Sequence, residues 1–312
     1  MPEHIAPVLY YLGVHLLYTS IVWLAAWALT SIPRGSATTK YWIWLATSLN
    51  FILPVGALLD RLLAPHLSWA RPLSVIGAAG AGIAQNATAA AVLAVAWLLG
   101  ASLMFTRLCL RIRAEHRDAR ASRGQTAHDE RPGFLAHGVP VKFAESRQAP
   151  SVDGVLHPYV SLPCGIDRLL SERELNAVLI HELTHARRRD NLIRLVHEVA
   201  LCVLWFHPLV WITGARLSLY RELSCDESVI QNAQGGDLVS ALAKLANPSE
   251  EFLLQATASS FLSRRLARLA ATQPPPAGRA TNTLLTMAFA AILLGGIFET
   301  MAHTACCFVV RR

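Results

Sequence analysis

The chain has 312 residues, 53% of them hydrophobic and only 16% charged, with a formal net charge of +7. Its mean hydropathy is positive, which argues against an ordinary soluble domain and favours a membrane protein. The net positive charge does not indicate nucleic-acid binding, because many basic residues lie at the ends of apolar segments, where membrane proteins place them. The six cysteines show no CxxC spacing, so neither a disulfide framework nor a zinc knuckle is expected.

Three uncharged segments near the start of the chain predict transmembrane helices. Ile5 to Ile32 is long enough to span a bilayer with tilt, and no positively charged region precedes it as in a signal peptide, so it is interpreted as a retained helix. Tyr41 to Leu59 is the second segment. Pro72 to Phe105 is too long for one simple crossing, so the third helix is placed at Ala87 to Phe105.

The arginines behind the third segment predict the orientation in the membrane. Six of them lie between Arg107 and Arg123, and such clusters mark the cytoplasmic side. Both chain termini are then expected outside. Residues 112–138 are polar with little periodicity and predict a mobile connector.

Two short segments around and after the connector predict β-strands. Val139 to Phe143 alternates weakly, and Tyr159 to Leu162 follows a turn signal at Asp153-Gly154. An edge strand beside a catalytic helix could hold an extended substrate through main-chain hydrogen bonds, and Tyr159 to Leu162 is the candidate. A small structural hairpin is the alternative, and the sequence favours neither.

The motif His181-Glu182-Leu183-Thr184-His185 predicts a metal-binding helix. Two histidines four residues apart on a helix lie on the same face, one turn apart, and can bind one metal ion together. Glu182 stands beside the first histidine, where a carboxylate can take a proton from a water activated by the metal. The alternative is an exposed helix face with two unrelated histidines.

The residues around this motif favour the metal-binding interpretation. Ser171 and Glu174 form a capping box that starts a helix. The helix ends at Arg187 to Arg189, where the helix dipole favours cations. Apolar residues at helical spacing give it a buried face: Leu175, Val178, Leu179 and Leu183.

The apolar segment Leu195 to Leu217 is interrupted by Pro208, which breaks a helix. It is predicted to form two half-helices that dip into the membrane, or a helix pair at the interface. Within it, His197-Glu198 lacks a second histidine at metal-binding spacing and is interpreted as a pair on a helix face.

The third protein ligand of a zinc peptidase site is predicted at Glu222, since such a site needs three protein ligands and one open position. Glu222 and Asp226 are four residues apart and share a helix face. Asp226 would accept a hydrogen bond from the free nitrogen of a ligand histidine. The alternative is a charged, solvated helix face. Cys225 is interpreted as a buried small residue rather than a ligand.

A metal shared by His185 and Glu222 fixes the layout, because both residues must then lie on one side of the membrane. Leu195 to Leu217 cannot cross it once, and Thr281 to Phe298 becomes the fourth span. The predicted fold is a mainly α membrane protein with four transmembrane helices and a cytoplasmic zinc protease region of helices plus a small β-sheet. Its parts are three helices in 1–111, the connector 112–138, the peptidase domain 139–280 with its membrane-dipping segment 195–217, the fourth helix in 281–302 and a short tail, 303–312.

Four features together resemble the BlaR/MecR-type membrane zinc metallopeptidases. They are the HELTH motif with its basic run and Asp190, the stretch Phe206 to Trp211, the pair Glu222 and Asp226, and the layout of three spans, a cytoplasmic protease region and a fourth span. The stretch Pro158 to Pro163 is also similar to the family's segment before the zinc helix. The resemblance therefore covers most of the chain.

The resemblance implies a gluzincin-like endopeptidase that uses a zinc ion, with His181, His185 and Glu222 as ligands and Glu182 as the base. It also implies a cytoplasmic protein substrate, such as a DNA-binding transcriptional repressor cleaved in signal transduction. The expected location is the inner (cytoplasmic) membrane, with the active site facing the cytoplasm. The expected partners are the protein substrate and membrane lipid, not nucleic acid, and a homodimer is left open.

One departure concerns antibiotic sensing. The antibiotic sensors of this family carry an extracellular penicillin-binding domain after the last span, whereas few residues follow Phe298 here, without a Ser-x-x-Lys or Lys-Thr-Gly motif. Beta-lactam sensing by the chain itself is therefore not expected.

Two other functions stay open. A quality-control or processing protease similar to the HtpX and CAAX-processing enzymes shares the paired histidines and the downstream glutamate. A non-proteolytic membrane signal transducer would keep the zinc site for structure, but it has no need of a base such as Glu182. The group that stabilises the oxyanion is not fixed by the sequence, and the candidates are His207, Arg216 and Tyr220.

Overall fold

The computed structural model describes residues 2–33, 35–53, 87–125, 134–144, 149–232, 234–245, 265, 269 and 279–293. Several predicted parts lie outside these residues: 54–59 of the second span, 72–86 before the third, 126–133 of the connector, 294–302 of the fourth and the tail 303–312. The described part is mainly helical with one small mixed sheet, which confirms the predicted fold class at that level.

Helices occupy all four regions in which spans were predicted. They are α1 (Pro2–Thr30), α2 (Ala37–Ile52), α3 (Ala87–Gln125) and a helix at 279–293. Among the described residues, only one stretch of helix is long and apolar enough to cross a membrane, Thr88–Glu115 of α3. Four transmembrane helices are therefore a prediction that the structure supports only in part.

Helix α3 is longer than the sequence pattern indicated. The predicted third span ends at Phe105, but the helix continues through the basic cluster to Gln125. The first half of the stretch interpreted as an irregular connector is thus helical. Charged residues explain this continuation, because Arg111 and Glu115 pair one turn apart within α3 and both also contact charged residues of a neighbouring helix.

The sheet has four strands in the order β1-β2-β4-β3. Strands β2 and β4 are parallel, and the outer strands pair antiparallel to them. The strand bounds are β1 (Phe134–Ala136), β2 (Val139–Ala144), β3 (Ser151–Asp153) and β4 (Tyr159–Pro163). Both predicted strands are confirmed as β2 and β4. The predicted turn follows β3, where Gly154 adopts a φ of +85° and leads towards β4.

Five helices follow the sheet: α4 (Ile166–Leu169), α5 (Glu172–Arg188), α6 (Asp190–Val203), α7 (Pro208–Gln231) and α8 (Gly235–Leu245). The capping box that starts α5 is confirmed, since the Ser171 hydroxyl accepts from the Glu174 backbone and the Glu174 carboxylate accepts from the Ser171 backbone. Glu174 also accepts from Lys244 of α8 at 2.7 Å and from the Ser240 hydroxyl, and Lys244, Ser240 and Ser171 together lower the pKa of its carboxyl to about 2.

The apolar segment around Pro208 is interrupted, as predicted. Helix α6 ends at Val203 and α7 begins at Pro208. Proline is well suited to the first turn of a helix, because its missing N–H would have no partner within the helix there. Pro208 therefore starts a new helix rather than bending a continuous one.

The buried apolar residues form two clusters. The bundle core joins α1, α2, α6, α7 and the helix at 279–293, with Val22, Trp44, Val210, Leu217 and Phe289 among its members. The sheet core joins the sheet to α4, α5, α7 and α8, with Val141, Leu162, Val178, Val229 and Leu238 among its members. Helix α7 contributes to both clusters, so the segment between its two buried ends lies at their junction.

Candidate metal centre

Helix α5 presents both motif histidines to α7. Their Nε2 atoms are 3.2 Å apart. Glu222 of α7 places one carboxylate oxygen 3.6 Å from Nε2 of His181 and the other 3.7 Å from Nε2 of His185. Two atoms that each bind a tetrahedral zinc at about 2.1 Å are about 3.4 Å apart, so the three side chains fit such an ion. The three predicted ligand residues are thus brought together in space.

A carboxylate orients His185 from the side opposite the candidate metal position. Nδ1 of His185 lies 2.7 Å from one oxygen of Asp190. Arg188 donates to both oxygens of that carboxylate, at 3.1 Å and 2.6 Å. Tyr41 of α2 donates to it as well, at 3.0 Å. Asp190 therefore acts on His185 as outer carboxylates commonly act on metal-binding histidines, by fixing the ring and its tautomer.

A second carboxylate stands behind His181. Nδ1 of His181 lies 3.2 Å from an oxygen of Asp226, but the two atoms are not aligned as a hydrogen bond. Asp226 is fully buried and accepts two hydrogen bonds of 2.9 Å from Arg265. Arg265 also lies 3.6 Å from Glu222. Asp226 thus has the position that the sequence predicted for it, although its contact with His181 is looser than that of Asp190 with His185.

The charges of this cluster favour positive charge among the three candidate ligand side chains. Burial lowers the pKa of His181, but the carboxylates of Asp226 and Glu222 outweigh it and raise that pKa to about 9. Burial raises the pKa of Glu222, but the two histidines outweigh it and hold the pKa well below its usual range. Glu222 is therefore an anion at neutral pH, and a metal ion that binds the histidines must displace protons from them.

Glu182 and the three ligand candidates line one cleft, with a volume of about 530 Å³. Glu182 is half-buried, which leaves its carboxylate accessible to a water or a substrate in the cleft. Residues of β3 and α8 line the cleft, and so do Arg221 and Arg265. The predicted base and the three candidate ligands therefore line the same cleft.

The strand at the edge of this cleft is β3, which corrects the prediction that Tyr159 to Leu162 could be an edge strand. That segment is β4, which pairs with β2 on one side and β3 on the other. β3 has a free edge in the described sheet, and its residues Ser151 and Val152 line the cleft. The Asn191 amide donates to the carbonyl oxygen of Val152 at 2.9 Å and so fixes β3 to the start of α6.

The three candidates for stabilising an oxyanion do not line the cleft. His207 contacts Phe51 edge-to-face in the bundle, and neither Arg216 nor Tyr220 is among the cleft residues. Arg221 and Arg265 are the cationic residues of the cleft next to Glu222. They are better placed than the predicted candidates to face a developing negative charge.

Sequence reasoning missed the arginines that hold the two outer carboxylates. Arg188 belongs to the basic run that was interpreted through the helix dipole, yet its guanidinium turns to Asp190. Arg265 lies 39 positions after Asp226, and no local pattern indicates the pairing. Cys225 is buried as predicted and accepts a hydrogen bond from Arg188 at 3.1 Å.

Comparisons with known proteins give one family match over most of the chain and partial matches to individual relatives. The sequence profile of the family described as BlaR1 peptidase M56 matches residues 10–269. A segment of 84 residues, 27% of the chain, is 38% identical to the regulatory protein BlaR1 of Bacillus licheniformis. A segment of 98 residues, 31% of the chain, is 21% identical to the methicillin resistance mecR1 protein of Staphylococcus aureus. These segments cover only 14% and 17% of the two relatives.

Proposed function

Because the chain belongs to the BlaR1 peptidase M56 family, we propose that it is an integral membrane zinc endopeptidase of gluzincin type. His181, His185 and Glu222 are the ligands in this proposal, and Glu182 is the base. The observation that carries it is the convergence of the three ligand side chains at distances that suit a tetrahedral ion, in a cleft that Glu182 also lines. A purely structural metal site would have no need of that base or that cleft.

Zinc bound there would supply a Lewis acid that polarises a peptide carbonyl and lowers the pKa of a water. Glu182 takes the proton from the water as it attacks and passes it to the leaving amine. Asp190 and Asp226 hold the rings of His185 and His181 in place from behind. Arg221 or Arg265 faces the negative charge that develops on the carbonyl oxygen.

The substrate in this proposal is a cytoplasmic protein, such as a DNA-binding transcriptional repressor cleaved in signal transduction. An extended segment of it would lie in the cleft along β3, whose edge runs beside the metal helix. The regulatory and resistance roles in the names of the two relatives support a signalling substrate over general protein turnover.

The membrane arrangement is part of the same proposal: four spans, the inner membrane and a cytoplasmic active site. Helix α3 supports it, because none of its most apolar window is buried in the protein. Single cysteines near Gln125 and near Gln234, in a chain without native cysteines, should both be protected from an impermeant thiol reagent in intact cells. Labelling of only one position would place the two regions on opposite sides and contradict the arrangement.

The test of activity compares Glu182→Gln with Glu172→Gln, a control on the exposed start of the same helix. The wild type and both variants should bind about one zinc per chain, whereas His181→Ala or His185→Ala should lose it. Cleavage of a co-expressed candidate repressor, followed by immunoblot, should be lost in Glu182→Gln and in the His→Ala variants and kept in Glu172→Gln. Full zinc content in a double His→Ala variant would contradict the site. Glu182-dependent loss of a misfolded membrane protein, with the repressor intact, would instead establish the quality-control function.

A further inference from the structure

The first turn of α2 is fixed to α7 close to the metal centre. The carboxylate of Glu227, a residue of α7, accepts hydrogen bonds from the backbone N–H groups of Ala37 at 3.2 Å and Thr38 at 2.9 Å. It also accepts one from the Thr38 hydroxyl at 2.7 Å. Two free N–H groups at the start of α2 are thereby satisfied, and the negative charge suits that end of the helix. The start of α2 is therefore held in one place relative to α7.

Tyr41 lies on the next part of α2 and is fully buried. Its hydroxyl donates to Oδ1 of Asp190 at 3.0 Å, and the guanidinium of Arg188 packs over its ring at 4.2 Å. The other oxygen of Asp190 is the one that contacts Nδ1 of His185. A continuous chain of contacts thus runs from α2 to a candidate metal ligand.

We propose that Tyr41 is a positioning residue for His185, acting through Asp190, so that helix α2 takes part in assembling the metal centre. The proposal rests on the proposed function, since it needs a metal at His185. Without the Tyr41 hydroxyl, the side-chain donor that remains to Oδ1 of Asp190 among the described residues is the Arg188 Nε atom. The carboxylate is then freer to rotate, and its hold on the ring of His185 weakens.

The hydrogen bond between Tyr41 and Asp190 makes the proposed metal centre sensitive to the position of α2. The Tyr41 hydroxyl bond is 3.0 Å long, and a shift of α2 along its axis by one residue, about 1.5 Å, would change the distance and alignment of the two atoms and so weaken the bond. Sliding of α2 would therefore loosen His185 without any change in the residues of the HELTH motif.

The experiment measures zinc affinity by competition with a chelator in the detergent-solubilised full chain. Tyr41→Phe keeps the ring over Arg188 and removes only the hydroxyl. Tyr18→Phe is the matched control, because Tyr18 is also buried and donates to the carbonyl of Leu293, at 2.9 Å, in the bundle. Tyr41→Phe should bind zinc about 3- to 10-fold more weakly than the wild type, and Tyr18→Phe should bind as the wild type does.

A second readout is the visible spectrum of the cobalt-substituted protein, which reports ligand geometry. Tyr41→Phe should shift its bands, and Tyr18→Phe should not. Wild-type zinc affinity and an unchanged spectrum in Tyr41→Phe would overturn the inference, whereas failure of the wild type to bind zinc would overturn the proposed function itself. Should Tyr41→Phe not fold, Thr38→Val removes a bond that seats α2. That variant should also weaken zinc binding, and an unchanged affinity would overturn the inference.

Discussion

The two histidines of the candidate metal centre are supported in different ways. His185 is held by Asp190 through a short contact of 2.7 Å, and Arg188, which holds Asp190, lies between them in the sequence. His181 faces Asp226 at 3.2 Å without alignment, and the arginine that holds Asp226 comes from 39 positions further on.

The difference follows from how the chain turns after α5. Arg189 adopts a positive φ of 56° and ends α5, and Asp190 starts α6 at once. This tight turn brings the Asp190 carboxylate back over the last turn of α5, where His185 lies. One support of the metal centre is therefore formed by a local turn, whereas the other forms only when α7 and Arg265 have both packed against α5.

The largest expected effect is a fall in stability when the pair of Asp226 and Arg265, the support that comes from distant residues, is broken. In Arg265→Met, the fully buried carboxylate of Asp226 loses both of its aligned donors, and removal of one partner of a buried ion pair costs about 3–5 kcal/mol of unfolding free energy. The melting temperature of the metal-free protein should fall clearly. The matched control Arg194→Met, at a half-exposed pair with Glu115, should change it little.

A second substitution decides whether the unpaired Asp226 carboxylate causes the lower melting temperature of Arg265→Met. Adding Asp226→Asn to Arg265→Met removes the stranded charge and should recover part of the lost melting temperature. A double variant that is no more stable than Arg265→Met would contradict the account, and the packing of Arg265 would then explain the loss.

A smaller effect should separate the two carboxylates as supports for the metal. Asp190→Asn should weaken zinc binding about 10- to 100-fold, the usual range for an outer partner of a ligand histidine. Asp226→Asn should weaken it less, because the contact of Asp226 with His181 is not aligned. Chelator competition on the two variants measures the ratio of their zinc affinities. Equal losses would show that the looser contact tightens when metal binds, and the comparison between the two sides would not hold.

The site was predictable from sequence as far as helical spacing reaches. The paired histidines on α5 and the pair Glu222 and Asp226 on α7 each follow from a spacing of four residues. Their convergence was inferred from the chemistry of three-ligand sites, and the structure brings them together. The capping box at Ser171 was predictable for the same reason, since its bonds are local.

The features that could not be predicted from the sequence are contacts between residues that are far apart in the chain. Arg265 pairs with Asp226, and Tyr41 with Asp190, across long separations that leave no periodic pattern. Arg188 was assigned to the helix dipole because a run of arginines at a helix end has that general explanation. The edge strand was misplaced because the order of the strands depends on which of them pair, and β4 lies inside the sheet.

Helix α7 determines whether a fragment of this protein can be expressed on its own. It is one unbroken helix of 24 residues, about 36 Å long, with Val210 in the bundle core and Val229 in the sheet core. A soluble peptidase fragment would either lose the turns of α7 before Glu222 or carry their apolar face into water. Without α2, it would also leave the Glu227 carboxylate without the N–H groups of Ala37 and Thr38. We expect the peptidase to fold and bind metal only together with the helices that accompany it, so biochemical work requires the full chain in detergent or lipid.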